Sequence, residues 1–102
     1  KQELLTLGIL RIDKQVRAVY VSDSEIHLTQ KEYDLLVYLV QNQGRICTRK
    51  EIIEQVWDIH FDYDTSVIDV YMTTLRKKLN LTPENNILHT VRGVGFIAKI
   101  EA

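Results

Sequence analysis

Hydrophobic positions along the chain change period several times, and each change predicts an element. Between Leu4 and Leu28 the pattern is short and extended. Leu5, Leu7 and Ile9 alternate with Thr6 and Gly8, and Ile12 follows. Val16–Val21 is β-branched, and Glu25-Ile26-His27-Leu28 comes after a Ser-Asp-Ser turn. This predicts three or four short antiparallel strands with one face to cover. The period then becomes helical. Tyr33, Leu36, Val37 and Val40 share a face behind Thr29-Gln30-Lys31-Glu32, a capping box that opens a helix ending near Gln43, where Gly44 suits a left-handed stop. A second capping box, Thr48-Arg49-Lys50-Glu51, opens a shorter helix carrying Ile52, Ile53, Val56 and Trp57.

The stretch from Asp64 to Leu79 predicts a third helix over 65–79, capped by Thr65 or Asp64. Ile68, Tyr71, Met72, Leu75 and Leu79 form its apolar stripe. Ser66, Asp69, Thr73, Arg76 and Lys77 fall on the other side, a hydroxyl-bearing face that becomes basic in the last turn. Pro83 and Asn85-Asn86 interrupt the chain. Two apolar runs, Ile87–Val91 and Phe96–Ile100, then flank Arg92-Gly93-Val94-Gly95 as a β-hairpin. Sheet, helix, turn, helix, loop, helix and hairpin form an α+β winged helix-turn-helix. In such a fold the third helix enters a major groove, and an arginine at the hairpin tip, here Arg92, reaches a minor groove.

Composition narrows this picture. The chain has 102 residues, enough for one domain with a modest core, and 45% are hydrophobic and 26% charged. Cys47 is the single cysteine, so no internal disulfide forms, and a reducing, cytoplasmic setting is expected. No apolar run is long enough for a membrane span, so no membrane partner is expected. The net charge of −1 weighs mildly against nucleic acid. Its distribution weighs the other way: residues 1–64 carry net −3 and residues 65–102 net +2.

Four blocks make the chain resemble the C-terminal DNA-binding domain of OmpR/PhoB-type two-component response regulators. They are Leu28–Leu36, Thr48–Trp57, Ile68–Met72 with Leu75–Leu79, and Thr90–Phe96. The resemblance implies an N-terminal four-stranded antiparallel sheet, three helices and a C-terminal hairpin. It implies sequence-specific binding of double-stranded DNA at direct-repeat sites, as tandem dimers, in transcriptional regulation. A receiver domain, absent from this chain, would be phosphorylated by a sensor histidine kinase. Arg92 matches the minor-groove arginine, and Arg49, Trp57, Thr90 and Gly93 match positions that approach phosphates. Ser66, Tyr71, Thr73, Thr74, Arg76 and Lys77 complete the expected DNA-facing set. The loop Asp58, Ile59, His60, Phe61, Asp62 and Tyr63 matches the segment that contacts RNA polymerase in activators.

The chain departs from the family pattern in its third helix. Ser66 stands where arginine is frequent, Thr73-Thr74 where Ser-Arg or Arg-Arg is, and Tyr71 where His or Gln is. Helix charge is left to Arg76, Lys77 and Lys78, with Lys78 expected to be solvated, so Arg92 and backbone amides are expected to supply much of the affinity. The acidic total and Arg-poor helix keep an alternative in view, a winged-helix protein-interaction module with little DNA affinity of its own.

Other chemistries find less support. Gly93-Val94-Gly95 lacks the following helix of a nucleotide loop. Asp58, His60, Asp62 and Asp64 alternate without the glycine and distal glutamate of an EF-hand, so a surface loop and no metal is the expectation. His27, His60 and His89 are dispersed and no catalytic arrangement emerges, so neither enzyme activity nor a cofactor is expected. Cys47 is expected to be a small core residue.

Overall fold

The computed structural model describes residues 4–59 and 64–100. Four antiparallel strands come first: β1 (Leu4–Leu7), β2 (Leu10–Asp13), β3 (Ala18–Val21) and β4 (Ser24–Ile26), in the order β1-β2-β3-β4. The alternation from Leu5 to Ile9 is divided by a tight turn. Gly8 takes φ +60°, and Leu7 pairs with Leu10 across it. Val16 is exposed rather than part of β3. The Asp13 carboxylate accepts from the Gln15 N–H, and Arg17 adopts φ +56°, so the chain is still turning until Ala18.

Helix α1 (Gln30–Gln41) follows, then strand β5 (Cys47–Thr48), helix α2 (Arg49–Val56) and helix α3 (Ser66–Lys78). Both capping boxes are formed. Thr29 and Glu32 exchange bonds at the start of α1, as do Thr48 and Glu51 at the start of α2. Gly44, beyond the end of α1, takes φ +85°. The hairpin is β6 (Leu88–Val91) and β7 (Gly95–Ala98), shorter at its far end than the apolar run to Ile100.

β5 is an element that the hydrophobic pattern did not announce. It pairs with β7, Cys47 opposite Phe96 and Thr48 opposite Gly95, so the hairpin belongs to a three-stranded sheet β5-β7-β6. This pairing stitches the wing to the start of α2. It also explains Gly95, where a Cβ would collide with the Cys47 carbonyl oxygen and come within 2.9 Å of Thr48 Cα.

The core joins both sheets to the helices. Leu10 and Ile12 of β2, Leu35, Leu36 and Leu39 of α1, Ile52 of α2, Ile68, Met72 and Leu75 of α3 and Phe96 of β7 are fully buried. Cys47 is buried among them, and burial pushes its thiol pKa up. No described helix is long and apolar enough to cross a membrane.

Candidate nucleic-acid interface

α3 buries Ile68, Met72 and Leu75, and this fixes what it presents to solvent. Ser66, Asp69, Val70, Thr73 and Lys77 are exposed, at the three- and four-residue steps of one helix face. Thr65 makes no side-chain cap; the Asp64 carboxylate instead accepts from the Ser66 N–H at 3.0 Å, which holds the carboxyl below its usual range. Val70 was not among the expected site residues. It is 64% exposed in the middle of this face. An apolar residue out of phase with the buried stripe was the available signal, since helical spacing puts it outside.

Tyr71 and Trp57, both expected at the interface, are half-buried and packed edge to face, with ring centroids 5.2 Å apart. Trp57 closes α2 as its C-cap, and the Lys31 ammonium lies 5.6 Å from its ring centroid. Lys31 also donates to the Val56 carbonyl at 2.9 Å, satisfying the last turn of α2. Thr74 is half-buried on α3.

Three basic residues on or beside α3 have partners within the fold. Arg49 at the first position of α2 donates twice to Asp69 of α3, at 3.0 and 2.9 Å, and its guanidinium carbon lies 4.9 Å from the Phe96 ring centroid. The Arg49 N–H also donates to the Val94 carbonyl in the hairpin turn. Arg76 is half-buried and reaches the hairpin, donating from Nε to the Leu88 carbonyl at 3.0 Å and from Nη2 to Thr90 Oγ1 at 2.9 Å.

Lys78 differs from its expectation as a solvated residue. It donates to the buried Glu32 carboxylate at 2.8 Å and ties the end of α3 to the start of α1. Burial raises the Glu32 pKa, but the bonds from Lys78 and the Thr29 backbone outweigh it and hold it below its ordinary value. Local helix reasoning saw only a basic last turn; the partner is 46 residues away.

At the hairpin, Thr90 is exposed on β6, Arg92 is exposed in the turn, and Gly93 takes the φ of +73° that the turn requires. Of the expected polymerase-contact loop, Asp58 is exposed at φ +58° and Ile59 is half-buried, its N–H donating to the Ile53 carbonyl. His60, Phe61, Asp62 and Tyr63 lie outside the described residues.

The arrangement is thus an exposed hydroxyl, valine and lysine face on α3, beside a hairpin bearing Arg92 and linked to it through Arg76. A helix face of this kind can offer hydrogen bonds, a methyl contact and charge to base edges and phosphates.

Residues 23–98 match the family model described as transcriptional regulatory protein, C terminal. The chain is 41% identical over 95 residues to the uncharacterized transcriptional regulatory protein YkoG of Bacillus subtilis, covering 93% of this chain and 42% of that protein. The solved DNA-binding domain of Klebsiella pneumoniae RstA, in complex with the RstA box, matches at a TM-score of 0.83 and 25% identity, covering 95% of this chain and 97% of that one. Response regulator DrrB of Thermotoga maritima, an OmpR/PhoB homologue, matches at a TM-score of 0.82 and 29% identity, over 94% of this chain and 44% of that one. The chain spans less than half the length of the curated relatives it matches.

Proposed function

Because the chain belongs to the family of transcriptional regulatory protein C-terminal domains, the DNA-binding output modules of OmpR/PhoB-type response regulators, we propose that it binds double-stranded DNA sequence-specifically and regulates transcription. In this reading α3 lies in the major groove and Arg92 enters the adjacent minor groove. The observation that carries it is the shared exposure of Ser66, Val70, Thr73 and Lys77 on α3, next to a hairpin whose turn exposes Arg92. The net positive charge of residues 65–102 supports the same surface. Arg49, Trp57, Tyr71, Thr74, Arg76, Thr90 and Gly93 border that surface. Of these, Trp57, Tyr71, Thr74 and Arg76, all half-buried, serve it by framing the helix and the wing, while Arg49, Thr90 and Gly93 offer donors to phosphates.

The wider setting follows the family. A receiver domain on the same polypeptide, phosphorylated by a sensor histidine kinase, would govern pairing of two copies on direct-repeat DNA in the cytoplasm. The loop from Asp58 to Tyr63 would be the face offered to RNA polymerase.

The test is an anisotropy titration against the protein's own promoter region, with Arg92→Ala and Lys77→Ala as variants. Each variant is expected to bind more weakly and with a shallower salt dependence, by about 0.9 in log–log slope for each phosphate that is no longer neutralised. Absence of a specific shift at low salt would instead favour a protein-interaction module.

A further inference from the structure

The side chains that discriminate bases most sharply in a major groove are polar forks: arginine or lysine on guanine O6 and N7, asparagine or glutamine on adenine, a carboxylate on the cytosine amino group. α3 carries no asparagine or glutamine. The two arginines nearest its exposed face have their forks turned into the fold. Arg49 sets Nη1 and Nη2 on Asp69, and Arg76 sets Nε and Nη2 on the Leu88 carbonyl and Thr90 Oγ1. The Arg49 contact uses both oxygens of Asp69, the one carboxylate of the helix, so that acceptor is engaged as well. Turning either fork to a guanine would uncover the Asp69 charge on the DNA-facing side or leave the Leu88 carbonyl without this donor.

Two further polar groups on the face are also committed. The Asp64 carboxylate holds Ser66 through its N–H and its side chain. Lys77 stands in the last turn, whereas a helix lying in the groove offers its first turns to the base edges, so the ammonium falls to a phosphate. Methyl groups are what remain. Val70 and Thr73 are both exposed and three residues apart, which puts their Cβ atoms ~5–6 Å from each other on one side of the helix. The matching group in a major groove is the C5-methyl of thymine. 5-Methylcytosine carries the same methyl at the same edge of the pair.

We propose that α3 reads its half-site through pyrimidine C5-methyl groups, by Val70 and Thr73, and without a fork to guanine. The target class is duplex DNA specified by thymines, in which 5-methylcytosine serves in place of a contacted thymine. This rests on the DNA-binding reading and names the kind of sequence that the helix selects. Thr73 is a specificity-determining residue, and the arginines around it set the fold and the phosphate contacts.

The test begins with selection of a site from a randomised duplex library. Replacing each guanine of the selected site by 7-deazaguanine, which lacks N7, is expected to leave affinity within about twofold. At one thymine, uracil should weaken wild-type binding about fivefold and leave Thr73→Ser unaffected, since serine keeps the hydroxyl and lacks the methyl. Changing that T·A pair to C·G should weaken binding, and 5-methylcytosine in the same pair should recover about fivefold. The salt slope of Thr73→Ser should match wild type, because a methyl group displaces no counterion. A guanine whose 7-deaza form binds about tenfold more weakly, or 5-methylcytosine no better than cytosine at every thymine position, would overturn the proposal and leave the DNA-binding reading standing. A library from which no sequence is enriched at low salt would remove that reading and the proposal together.

Discussion

The guanidinium of Arg49 clasps the carboxylate of Asp69 through two parallel hydrogen bonds of 3.0 and 2.9 Å, joining the first residue of α2 to the first turn of α3. The fork geometry holds the two helices at one relative setting, and the pair raises the guanidinium pKa chiefly through that hydrogen bonding. Two of the five guanidinium N–H donors are engaged in this pair. Asp69 also places a negative charge on the exposed face of α3, and Arg49 neutralises it.

From this pair comes a prediction that separates fold from function. The side chains are 30% and 51% exposed, so the ion pair contributes little to stability. Arg49→Ala is expected to cost no more than about 1 kcal/mol in a urea titration. Its DNA affinity should nevertheless fall about tenfold or more, with a shallower salt slope. A drop in stability with unaltered DNA affinity would assign Arg49 to the fold alone.

Gly95 predicts the opposite behaviour. It lies outside the exposed surface, yet a Cβ there meets the backbone of β5, which cannot move aside as a flexible side chain could. Gly95→Ala is expected to destabilise the fold by about 3 kcal/mol or more. Because β5 and β7 connect α2 to the wing, weaker protection of the amides at Cys47 and Phe96 in hydrogen exchange should accompany it.

Val70 predicts specificity without stability. Its side chain is 64% exposed, so Val70→Ala should leave the urea midpoint unmoved within error. Packing against a thymine methyl would make the same change cost roughly 1 kcal/mol of binding, about fivefold. Uracil substituted singly for each thymine of the site checks this. At the thymine that Val70 touches, wild type binds more weakly and Val70→Ala does not; equal effects on both proteins at every thymine would remove Val70 from the reading face.

Acid stability has a named origin as well. Hydrogen bonds from Arg45, then from Tyr38 and the Thr48 backbone, hold the Glu51 carboxyl down to about 2 from its ordinary 4.5. The carboxylate form is the one the fold prefers, so its contribution is complete above about pH 4.5 and disappears as pH falls toward about 2. Glu51→Gln should therefore be less stable than wild type at pH 7, and the gap should narrow through that window in urea midpoints taken at successive pH values. A gap that stays constant with pH would mean that the carboxylate charge at Glu51 contributes nothing.

Local chemistry in the chain was enough for much of this molecule. The capping boxes Thr29–Glu32 and Thr48–Glu51 set two helix starts because their bonds span three residues. The stripe Ile68, Met72, Leu75 and Leu79 set which face of α3 would be buried because a helix repeats every 3.6 residues. Order and spacing of these elements sufficed for the winged-helix architecture and for Lys77 and Arg92 as exposed candidates. Tertiary structure alone decided the partners of charged residues: Arg49 with Asp69, Arg76 with the wing, Lys78 with Glu32. It alone made a strand of Cys47-Thr48, since two residues carry no period and only β7 alongside makes them extended. The physical reason is common to all four. Periodicity and capping are local and leave a mark within a few residues, whereas an ion pair, a strand pairing or a forbidden Cβ depends on a neighbour a dozen or more residues away, present only once the core has closed.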